Sequence, residues 1–537
     1  MELLSPAGNV DKLRYCWTYG ADAAYIGLKN FSLRVKADNF HADEYTAVRA
    51  LKEKFPGRKL HCALNISFHN KEIDRLLQDI PYFREYPIDA FIVQDLGIVP
   101  ILQKEFPHAA LHLSTQASCM NREAVKVYKS LGFSRIVMGR EASLDEIKEI
   151  KDAVPDMEIE CFVHGAMCIA YSGRCLMSAY LNGRSAQEGF CSHTCRWDYQ
   201  LLAAAGRTAG NPSSGDGCSP RAGGNPSGGA PQNCMGGSPS SGGTSTCMGE
   251  SGADTRSPAQ LLAQSGELVL EEKKRPGEYF PVYEGDNFTA LLSSKDLCML
   301  DHLAELKAAG VDSLKIEGRM KSVYYVALIT RAYRKALDAM DGKISAEEAR
   351  PFTEELFKVS HRPFTTGFYF GREEADKTAS GASDSPYMLT AEAGEVLSPE
   401  AEAAVLRRGT ELKERRAAAY NALVPEAKAA WDRRAQGQPD KYLPPVEAHD
   451  GWHMYPFNAL NMIDGNTELE LVTPGTVAQK LQQAEFQLLN PNTGEVYRWV
   501  CADHPCVIYT GIPLPDGSLF RARDSGYVEG QYRGSAR

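Results

Sequence analysis

The stretch ELLSPAGNVDKLRYCWTYGADAAYIG, residues 2–27, decides the fold. Short apolar runs at residues 2–5 and 23–27 flank a longer amphipathic run at residues 10–19. A short apolar run is typical of a buried strand, and a run with helical periodicity is typical of a helix that packs on a sheet. The stretch therefore predicts a β-strand, an α-helix and a second β-strand.

The same alternation continues along the first part of the chain. Strands are predicted at residues 2–5, 23–27, 59–66, 90–94, 110–114, 135–138, 158–163 and 312–317. Helices are predicted at residues 10–19, 42–54, 71–82, 98–104, 122–131, 144–153, 296–309 and 323–340. This pattern predicts an α/β protein with a TIM-like (β/α)8 barrel over residues 1–345, whose functional residues lie at the carboxyl ends of the strands.

Polar residues follow most of the predicted strands, where a barrel carries its functional groups. They are Ser5, Asn65, Gln94, Asp95, Thr115, Gln116, Arg140, Glu141, His164, Glu317 and Arg319. The alternative is that polar residues begin loops in any protein of alternating strands and helices.

Two residues of the seventh strand are candidate catalytic groups. His164 follows the strand, and an imidazole there either transfers protons or makes a structural hydrogen bond. Glu160 lies inside an otherwise apolar strand, where a carboxylate needs a partner such as an arginine or a backbone amide. Glu160 therefore predicts either a structural ion pair or a substrate-binding group.

Charged residues after the second and eighth strands are candidate substrate-binding groups. Glu317, Arg319 and Lys321 lie in one charge-rich turn, and Arg34 lies in the sequence FSLRV. Because a guanidinium binds a carboxylate or phosphate through two parallel hydrogen bonds, Arg319 and Arg34 predict an anion site. The alternative for each charged residue is a solvated face.

Four cysteines lie close together in residues 160–199, which we interpret as an inserted loop. Cys168, Cys175, Cys191 and Cys195 are separated by six, fifteen and three residues. A disulfide pair, a structural zinc ion and an iron–sulfur cluster are the alternatives. Zinc sites favour two close cysteine pairs, whereas an iron–sulfur cluster accepts irregular spacing, so the spacing favours the cluster.

The remaining sequence predicts a low-complexity insertion and a second domain. Residues 206–257 are dominated by Gly, Ser, Pro, Asn and Thr, which predicts a disordered insertion. Residues 346–386 predict a linker of helix and turns. Residues 387–537 predict a small C-terminal β-barrel domain with a helical insertion at 398–435, because short β-prone runs alternate there with NG, DG and PG turns.

Composition excludes two broad classes. The net charge of −10 argues against an indiscriminate nucleic-acid binder, so any RNA would contact a local basic patch. No run of about 18 apolar residues occurs, which predicts no membrane-spanning helix. We recognise no signal peptide at residue 1, so a cytoplasmic location and reduced thiols are expected.

The segment around the first two cysteines resembles the peptidase U32 family, in its tRNA hydroxylation branch. The matching residues are Glu160, Phe162, Gly165, Ala166, Met167, Cys168, Gly173, Cys175, Met177 and Ser178. The runs at residues 2–9, 19–28, 31–35, 275–281, 294–298 and 313–325 are similar to the family too. The resemblance implies that the four cysteines hold a 4Fe-4S cluster.

The resemblance also implies an activity. Proteins of this branch make 5-hydroxyuridine at the wobble position of the tRNA anticodon loop, with prephenate as the implied co-substrate and source of the hydroxyl group. Two alternatives remain open, a protease as the family label suggests, and a hydroxylase of ribosomal RNA or of a quinone precursor. The sequence contains neither an HExxH zinc motif nor a GxSxG elbow after a predicted strand.

Overall fold

The computed structural model describes most of the chain outside the insertion. The described residues are 1–28, 31–32, 38–40, 44–168, 170–173, 175–178, 192, 194, 199–202, 269–272, 279–281, 284–285, 288–289, 295–371, 385–437, 442–445 and 447–524. Arg34, Cys191, Cys195 and the predicted insertion at 206–257 lie outside them. Residues 1–196 and 291–537 form one compact unit, and residues 197–290 form a second.

The described residues of the first unit contain ten strands before residue 371. They are β1 (Glu2–Pro6), β2 (Ala23–Ile26), β3 (Lys59–Leu64), β4 (Ala90–Val93), β5 (Ala110–Leu113), β6 (Arg135–Val137) and β7 (Glu158–Ala166), and later β13 (Asp296–Cys298), β14 (Ser313–Ile316) and β15 (Phe364–Thr365). The second unit contributes β8 (Tyr199–Leu202), β9 (Val269–Glu272) and β10 (Tyr279–Pro281), which form an antiparallel sheet, and the pair β11 (Glu284–Gly285) and β12 (Phe288–Thr289).

Helices separate the strands of the first unit. They are α1 (Val10–Thr18), α2 (Tyr45–Lys54), α3 (Asn70–Phe83), α4 (Val99–Glu105), α5 (Arg122–Ser130), α6 (Leu144–Ala153), α7 (Leu303–Ala308), α8 (Val323–Met340) and α9 (Ala346–Glu354). Ser143 and Glu146 form the capping box expected at the start of α6.

Eight parallel strands close into a barrel, which confirms the predicted fold. Strands β1 to β7 pair in sequence order, and β14 pairs with both β7 and β1. Strands β2 and β4 are buried at every position, as expected where a barrel core lies on one face and helices cover the other. The carboxyl ends of all eight strands therefore meet at one end of the barrel.

The predicted helix at 296–309 is wrong at its start. Residues Asp296–Cys298 form β13, which pairs antiparallel with the end of β7, and the helix begins only at Leu303. Asp296 binds Arg362 through a 2.7 Å ion pair next to β15. This pairing extends the sheet outside the barrel, and local periodicity does not reveal it.

A buried charge network, which we call the barrel floor, lies at the amino end of the strands. Glu160 accepts hydrogen bonds from Lys315 (2.6 Å) and Arg135 (3.0 Å), and Arg135 also binds Glu2 at 2.5 Å. Burial by itself raises the pKa of Glu160, but Lys315 and Arg135 lower it to about 2. The carboxylate therefore stays ionised inside the barrel because two cations neutralise it.

Two neutral histidines complete the barrel floor. The rings of His61 and His112 meet edge to face with their centroids 4.8 Å apart. Burial lowers the pKa of His61 to about 4, and it lowers the pKa of His112 well below the ordinary value. Both imidazoles are thus uncharged near neutral pH.

The C-terminal part forms a nine-stranded antiparallel sheet curved into a half-barrel, which confirms the predicted C-terminal β domain. Its strands and the short pair beside it are β16 (Tyr387–Ala393), β17 (Tyr442–Pro445), β18 (His453–Ala459), β19 (Ile463–Asp464), β20 (Leu469–Val472), β21 (Gln479–Lys480), β22 (Phe486–Leu489), β23 (Glu495–Tyr497), β24 (Trp499–Val500), β25 (Val507–Thr510) and β26 (Leu519–Arg523). Two helices, α10 (Pro399–Asn421) and α11 (Pro425–Gly437), occupy the region of the predicted helical insertion.

Buried arginines join the half-barrel to the barrel. Arg521 of β26 is fully buried and binds Glu355, which follows α9, as well as Glu470 of β20 at 2.6 Å. Arg331 of α8 donates to the backbone carbonyls of Thr473 and Thr476.

Among the described residues, no helix is long and apolar enough to cross a membrane.

We expect the barrel floor to make the fold sensitive to mild acid. The unfolded chain protonates His61 below about pH 6.5, whereas the folded chain does so only near pH 4, so stability is lost across that window. His61 lowers the free energy of unfolding by about 3 kcal/mol between pH 6.5 and pH 4. Urea unfolding at several pH values should show that the free energy of unfolding falls less between pH 6.5 and pH 4 in His61→Asn than in wild type.

The exposed residue His108 provides the matched control, since His108→Asn should retain the wild-type pH dependence. Glu160 adds a second loss of stability as the pH falls from 4.5 toward 2, because its folded pKa lies below the unfolded value. Equal pH dependence in wild type and His61→Asn would contradict this assignment.

Candidate functional site at the carboxyl end of the barrel

A cavity opens at the carboxyl end of the barrel strands, and we call it the mouth cavity. Its volume is about 60 Å³. It is lined by Tyr25, Ala63, Asn65, Ile92, Ser114, Thr115, Gln116, Val137, Arg140, Phe162, Lys315, Glu317 and Arg319. Six of the polar residues that the sequence predicted at strand ends, or directly after them, are therefore brought together here: Asn65, Thr115, Gln116, Arg140, Glu317 and Arg319.

The lining carries three cations and one carboxylate. Arg140 places its guanidinium carbon 3.9 Å from the ring centre of Phe162 and its Nη2 3.7 Å from Glu317. Lys315 places its Nζ 4.7 Å from the ring centre of Tyr25. Aromatic faces stabilise these cations while leaving their remaining N–H groups for a ligand, so the cavity favours an anion.

The side chain of Arg319 is held by a hydrogen bond to Ser32 and by close contact with the backbone of Gly27. Its side chain is almost fully buried, and its Nη2 donates to Ser32 Oγ. Gly27, at the end of β2, lies directly against the guanidinium, because a Cβ at this position would overlap Nη1. A glycine at 27 is thus a steric requirement for the position of Arg319.

Lys315 connects the mouth cavity to the barrel floor, and sequence reasoning missed it. Its Nζ donates to Glu160 Oε1, while the side chain also lines the cavity above. Burial lowers the pKa of Lys315. A lysine in the middle of the apolar run SLKI was the available signal, because a buried cation requires a partner.

The two candidate catalytic residues lie away from the cavity lining. Glu160 belongs to the barrel floor, which fits the ion-pair alternative. His164 is buried beside the rings of Tyr325, Tyr333 and Phe364, with centroids 5.4–6.0 Å away. Burial lowers the pKa of His164 to about 3, so its imidazole is neutral there.

Lys321 and Arg34 are not part of the described lining. Lys321 Nζ lies 5.1 Å from the ring centre of Tyr325, outside the mouth cavity. Arg34 falls outside the described residues, so its role as an anion-binding residue stays a prediction. Of the four predicted substrate-binding residues, Glu317 and Arg319 line the cavity.

The loop that carries the first two cysteines is anchored by Glu141. Glu141 Oε1 accepts a hydrogen bond from the backbone N–H of Ser172, and Oε2 accepts one from Ser172 Oγ. Ser172 lies between Cys168 and Cys175 and adopts left-handed backbone angles, with φ of 42°. A non-glycine residue in this conformation requires such support, so Glu141 fixes the shape of the loop.

The described cysteines fit a cluster held by thiolates. Cys168 is exposed, Cys175 is half-buried, and neither forms a disulfide with another described residue. They follow β7 at the same end of the barrel as the mouth cavity. Cys191 and Cys195 lie outside the described residues, so the complete ligand set stays a prediction.

A second arrangement has metal-ligand spacing but the wrong electrostatics. His61, His112 and Glu160 place possible ligand atoms within 4.8 Å of one another. Lys315 and Arg135 already neutralise Glu160, so a divalent cation would add two uncompensated charges inside the barrel. Burying such charges is costly, and we therefore assign these residues to stability.

We expect Glu141→Gln to loosen the cysteine-bearing loop. A glutamine has one acceptor oxygen where the carboxylate has two, so one donor of Ser172 loses its partner. Hydrogen exchange of the peptide containing residues 167–176 should become about tenfold faster, corresponding to roughly 1.5 kcal/mol.

Glu348→Gln is the matched control, since Glu348 accepts from the backbone N–H of Ser345 in the capping box of α9. This variant should leave exchange of residues 167–176 unchanged. If Glu141→Gln also left it unchanged, Glu141 would not anchor the loop.

Comparison with known proteins places the chain in a family. The model of peptidase family U32 matches residues 8–379. The tRNA hydroxylation protein P of Escherichia coli is 36% identical over 371 residues, which cover 68% of this chain and 74% of the relative. The tRNA hydroxylation protein P1 of Bacillus subtilis is 32% identical over 374 residues, which cover 69% and 71%.

A further relative has a different named substrate. The 23S rRNA 5-hydroxycytidine C2501 synthase of Escherichia coli is 32% identical over 409 residues, which cover 74% of this chain and 49% of the relative. The family match spans the barrel strands after β1, the residues that line the mouth cavity and the cysteine-bearing loop. This chain belongs to peptidase family U32.

Proposed function

We propose that this protein hydroxylates RNA, and that its substrate is the wobble uridine of a tRNA anticodon loop, modified at C5 with prephenate as co-substrate. The observation that carries the proposal is the identity of 32–36% to relatives named tRNA hydroxylation proteins, over more than two thirds of both chains. The mouth cavity supports it, because its charge suits an anionic co-substrate.

The three cations of the mouth cavity bind the co-substrate in this proposal. Prephenate carries two carboxylates, and the guanidinium of Arg319, which Ser32 and Gly27 hold at the cavity lining, binds one of them in this proposal. Arg140 and Lys315 provide positive charge for the second. Their positions beside Phe162 and Tyr25 restrict the side chains before the ligand arrives, which lowers the entropy cost of binding.

The RNA substrate suits a recessed site. A base inside a duplex cannot reach the carboxyl end of a barrel without leaving its stack, which costs a few kcal/mol. The bases of an anticodon loop are single-stranded and are displaced more easily. Because the net charge of the protein is −10, RNA binds only where positive side chains are locally concentrated, and this limits nonspecific RNA binding.

Four cysteines would hold the redox group that this chemistry requires. Cys168, Cys175, Cys191 and Cys195 are the proposed ligands of a 4Fe-4S cluster. Such a cluster supplies electron-transfer or Lewis-acid chemistry that amino-acid side chains lack. Glu141 and Ser172 hold the segment between Cys168 and Cys175 in the conformation that presents both thiols.

A cytidine of ribosomal RNA is the second candidate substrate. The similarity to the 23S rRNA 5-hydroxycytidine C2501 synthase favours it, although the match covers only 49% of that relative. The two candidates differ in which RNA fraction loses its modified nucleoside when the protein is absent.

We expect Cys168→Ser and Cys175→Ser to abolish both iron binding and RNA hydroxylation. Mass spectrometry of nucleosides from separated tRNA and ribosomal RNA should show at least a tenfold loss of 5-hydroxyuridine in tRNA, in a strain that carries only the variant. Iron quantitation on anaerobically purified protein provides the second measurement.

Cys501→Ser is the matched control, because Cys501 is a partly exposed thiol of the C-terminal half-barrel. It should retain iron and modified tRNA. Unchanged 5-hydroxyuridine in the deletion strain would overturn the proposed substrate, and loss of 5-hydroxycytidine from ribosomal RNA would support the second candidate.

We expect Gly27→Ala to weaken binding of the carboxylate co-substrate. The added methyl group displaces the Arg319 guanidinium, and loss of a charge-assisted hydrogen bond raises KM for prephenate roughly 10- to 100-fold. Steady-state kinetics check this, together with urea unfolding to show that the variant folds.

Gly475→Ala is the control, since a Cβ at 475 meets no atom within 4 Å. A wild-type KM in folded Gly27→Ala would argue against Arg319 as the anion-binding residue. A loss confined to kcat would instead indicate a role after binding.

A further inference from the structure

A second cavity, which we call the side groove, shares the lining residue Gln116 with the mouth cavity. Its volume is about 480 Å³, and its lining includes Ser67, Gln94, Leu96, Gln116, Tyr128 and Leu176. Gln116 lines both cavities. Sites for small organic ligands measure about 300–1,000 Å³, so the side groove has room for a nucleoside.

The backbone around Gln116 is fixed. Gln116 lies in a 3₁₀ turn, Thr115–Ala117, directly after β5. Its N–H donates to Ser114 Oγ at 3.3 Å, and Thr115 Oγ donates to the carbonyl of Met138 at 2.9 Å. The side chain therefore leaves a rigid part of the barrel, which suits a residue that orients a ligand.

The side-chain oxygen of Gln116 is buried and has no hydrogen-bond partner in the part of the chain that the structure describes. Leaving a buried acceptor unsatisfied costs about 1–3 kcal/mol. The neighbouring amide of Gln94 differs, because its nitrogen already donates to the Asn65 carbonyl and to Ser67 Oγ. Of these two amides, Gln116 is the one whose oxygen is buried without a hydrogen-bond donor among the described residues.

The lining of the side groove includes apolar side chains that face solvent. Leu176 is 72% exposed and Leu96 is 47% exposed. Tyr128 adds an aromatic ring. Exposed apolar side chains around a polar group are typical of a ligand site, and a base displaced from its stack packs between such side chains.

The side groove also borders the cysteine-bearing loop. Leu176 follows Cys175 directly, and the turn Tyr171–Gly173 packs on the turn that contains Gln116. A ligand in the side groove therefore lies beside both the cationic mouth cavity and the loop with the first two cysteines.

We propose that the side groove holds the target pyrimidine nucleoside and that Gln116 recognises the hydrogen-bonding edge of its base. A carboxamide presents one acceptor and one donor side by side, and the edges of uracil and cytosine each present a neighbouring donor and acceptor. Such a pair contributes about 1–3 kcal/mol. This inference rests on the proposed RNA hydroxylation and adds the residue that contacts the base.

The test is a double-mutant cycle in which both residue 116 and the target base are changed and the RNA affinity is measured. Two RNA hairpins with the sequence of an anticodon stem and loop are compared, one with uridine at the target position and one with an abasic site there. Fluorescence anisotropy measures the affinity of full-length protein for each. Wild type should bind the uridine hairpin about tenfold more tightly than the abasic one, whereas Gln116→Leu should distinguish them less than twofold.

Two further variants separate recognition from folding. Gln116→Asn withdraws the amide by one methylene without removing it, and it should give an intermediate preference if Gln116→Leu folds poorly. Gln103→Leu is the control, because Gln103 is an exposed glutamine of α4 that donates to the Leu131 carbonyl. It should retain the wild-type preference.

The possible outcomes are distinct. Equal preference for uridine in wild type and Gln116→Leu, or equal weakening of both hairpins by the variant, overturns the role of Gln116 while leaving RNA hydroxylation intact. Absence of hydroxylated nucleoside with wild-type protein and prephenate overturns the proposed function itself. A lost preference for uridine in Gln116→Leu, with wild-type affinity for the abasic hairpin, supports the inference.

Discussion

The ion pair between Lys315 and Glu160 is the interaction on which the rest of the structure depends. Their 2.6 Å contact joins β14 to β7, and β14 is also the strand that pairs with β1 to close the barrel. Neither charge is tolerable alone in this interior, since removing one partner of such a pair costs about 3–5 kcal/mol. The same lysine lines the mouth cavity, so the charge that stabilises the closed barrel also contributes to the anion-binding surface.

Local charge, rather than net charge, explains how an acidic protein can bind an anionic ligand. Arg140, Lys315 and Arg319 meet at one end of the barrel, where Tyr25 and Phe162 exclude water from them. Cations are effective over short distances in such a setting because the local dielectric constant is lower than in water. Exposed ion pairs such as Arg49–Glu85 and Lys129–Asp156 lie outside the cavity lining, where salt screens them.

The mouth cavity, the side groove and the cysteine-bearing loop are neighbours at one end of the barrel. Gln116 belongs to both cavities, and the Glu141 contact with Ser172 attaches the loop beside them. In the proposed reaction these three parts bind the carboxylate co-substrate, the base and the redox group, respectively. Rigid strand ends carry all three, which suits chemistry in which reacting groups must be held at short distances.

Sequence alone determined the barrel, because eight apolar runs alternating with amphipathic helices have few other ways to bury their surfaces. It also located Glu317, Arg319 and Gln116 near strand ends, and it singled out the four cysteines. Only the tertiary structure decided that Asp296–Cys298 is a strand and that Lys315 contacts both the barrel floor and the mouth cavity. It also decided that His164 packs among aromatic rings and that Gly27 positions Arg319. The physical reason is range: periodicity reports which face of an element is buried, whereas the partners of Lys315 and of β13 come from residues more than a hundred positions away.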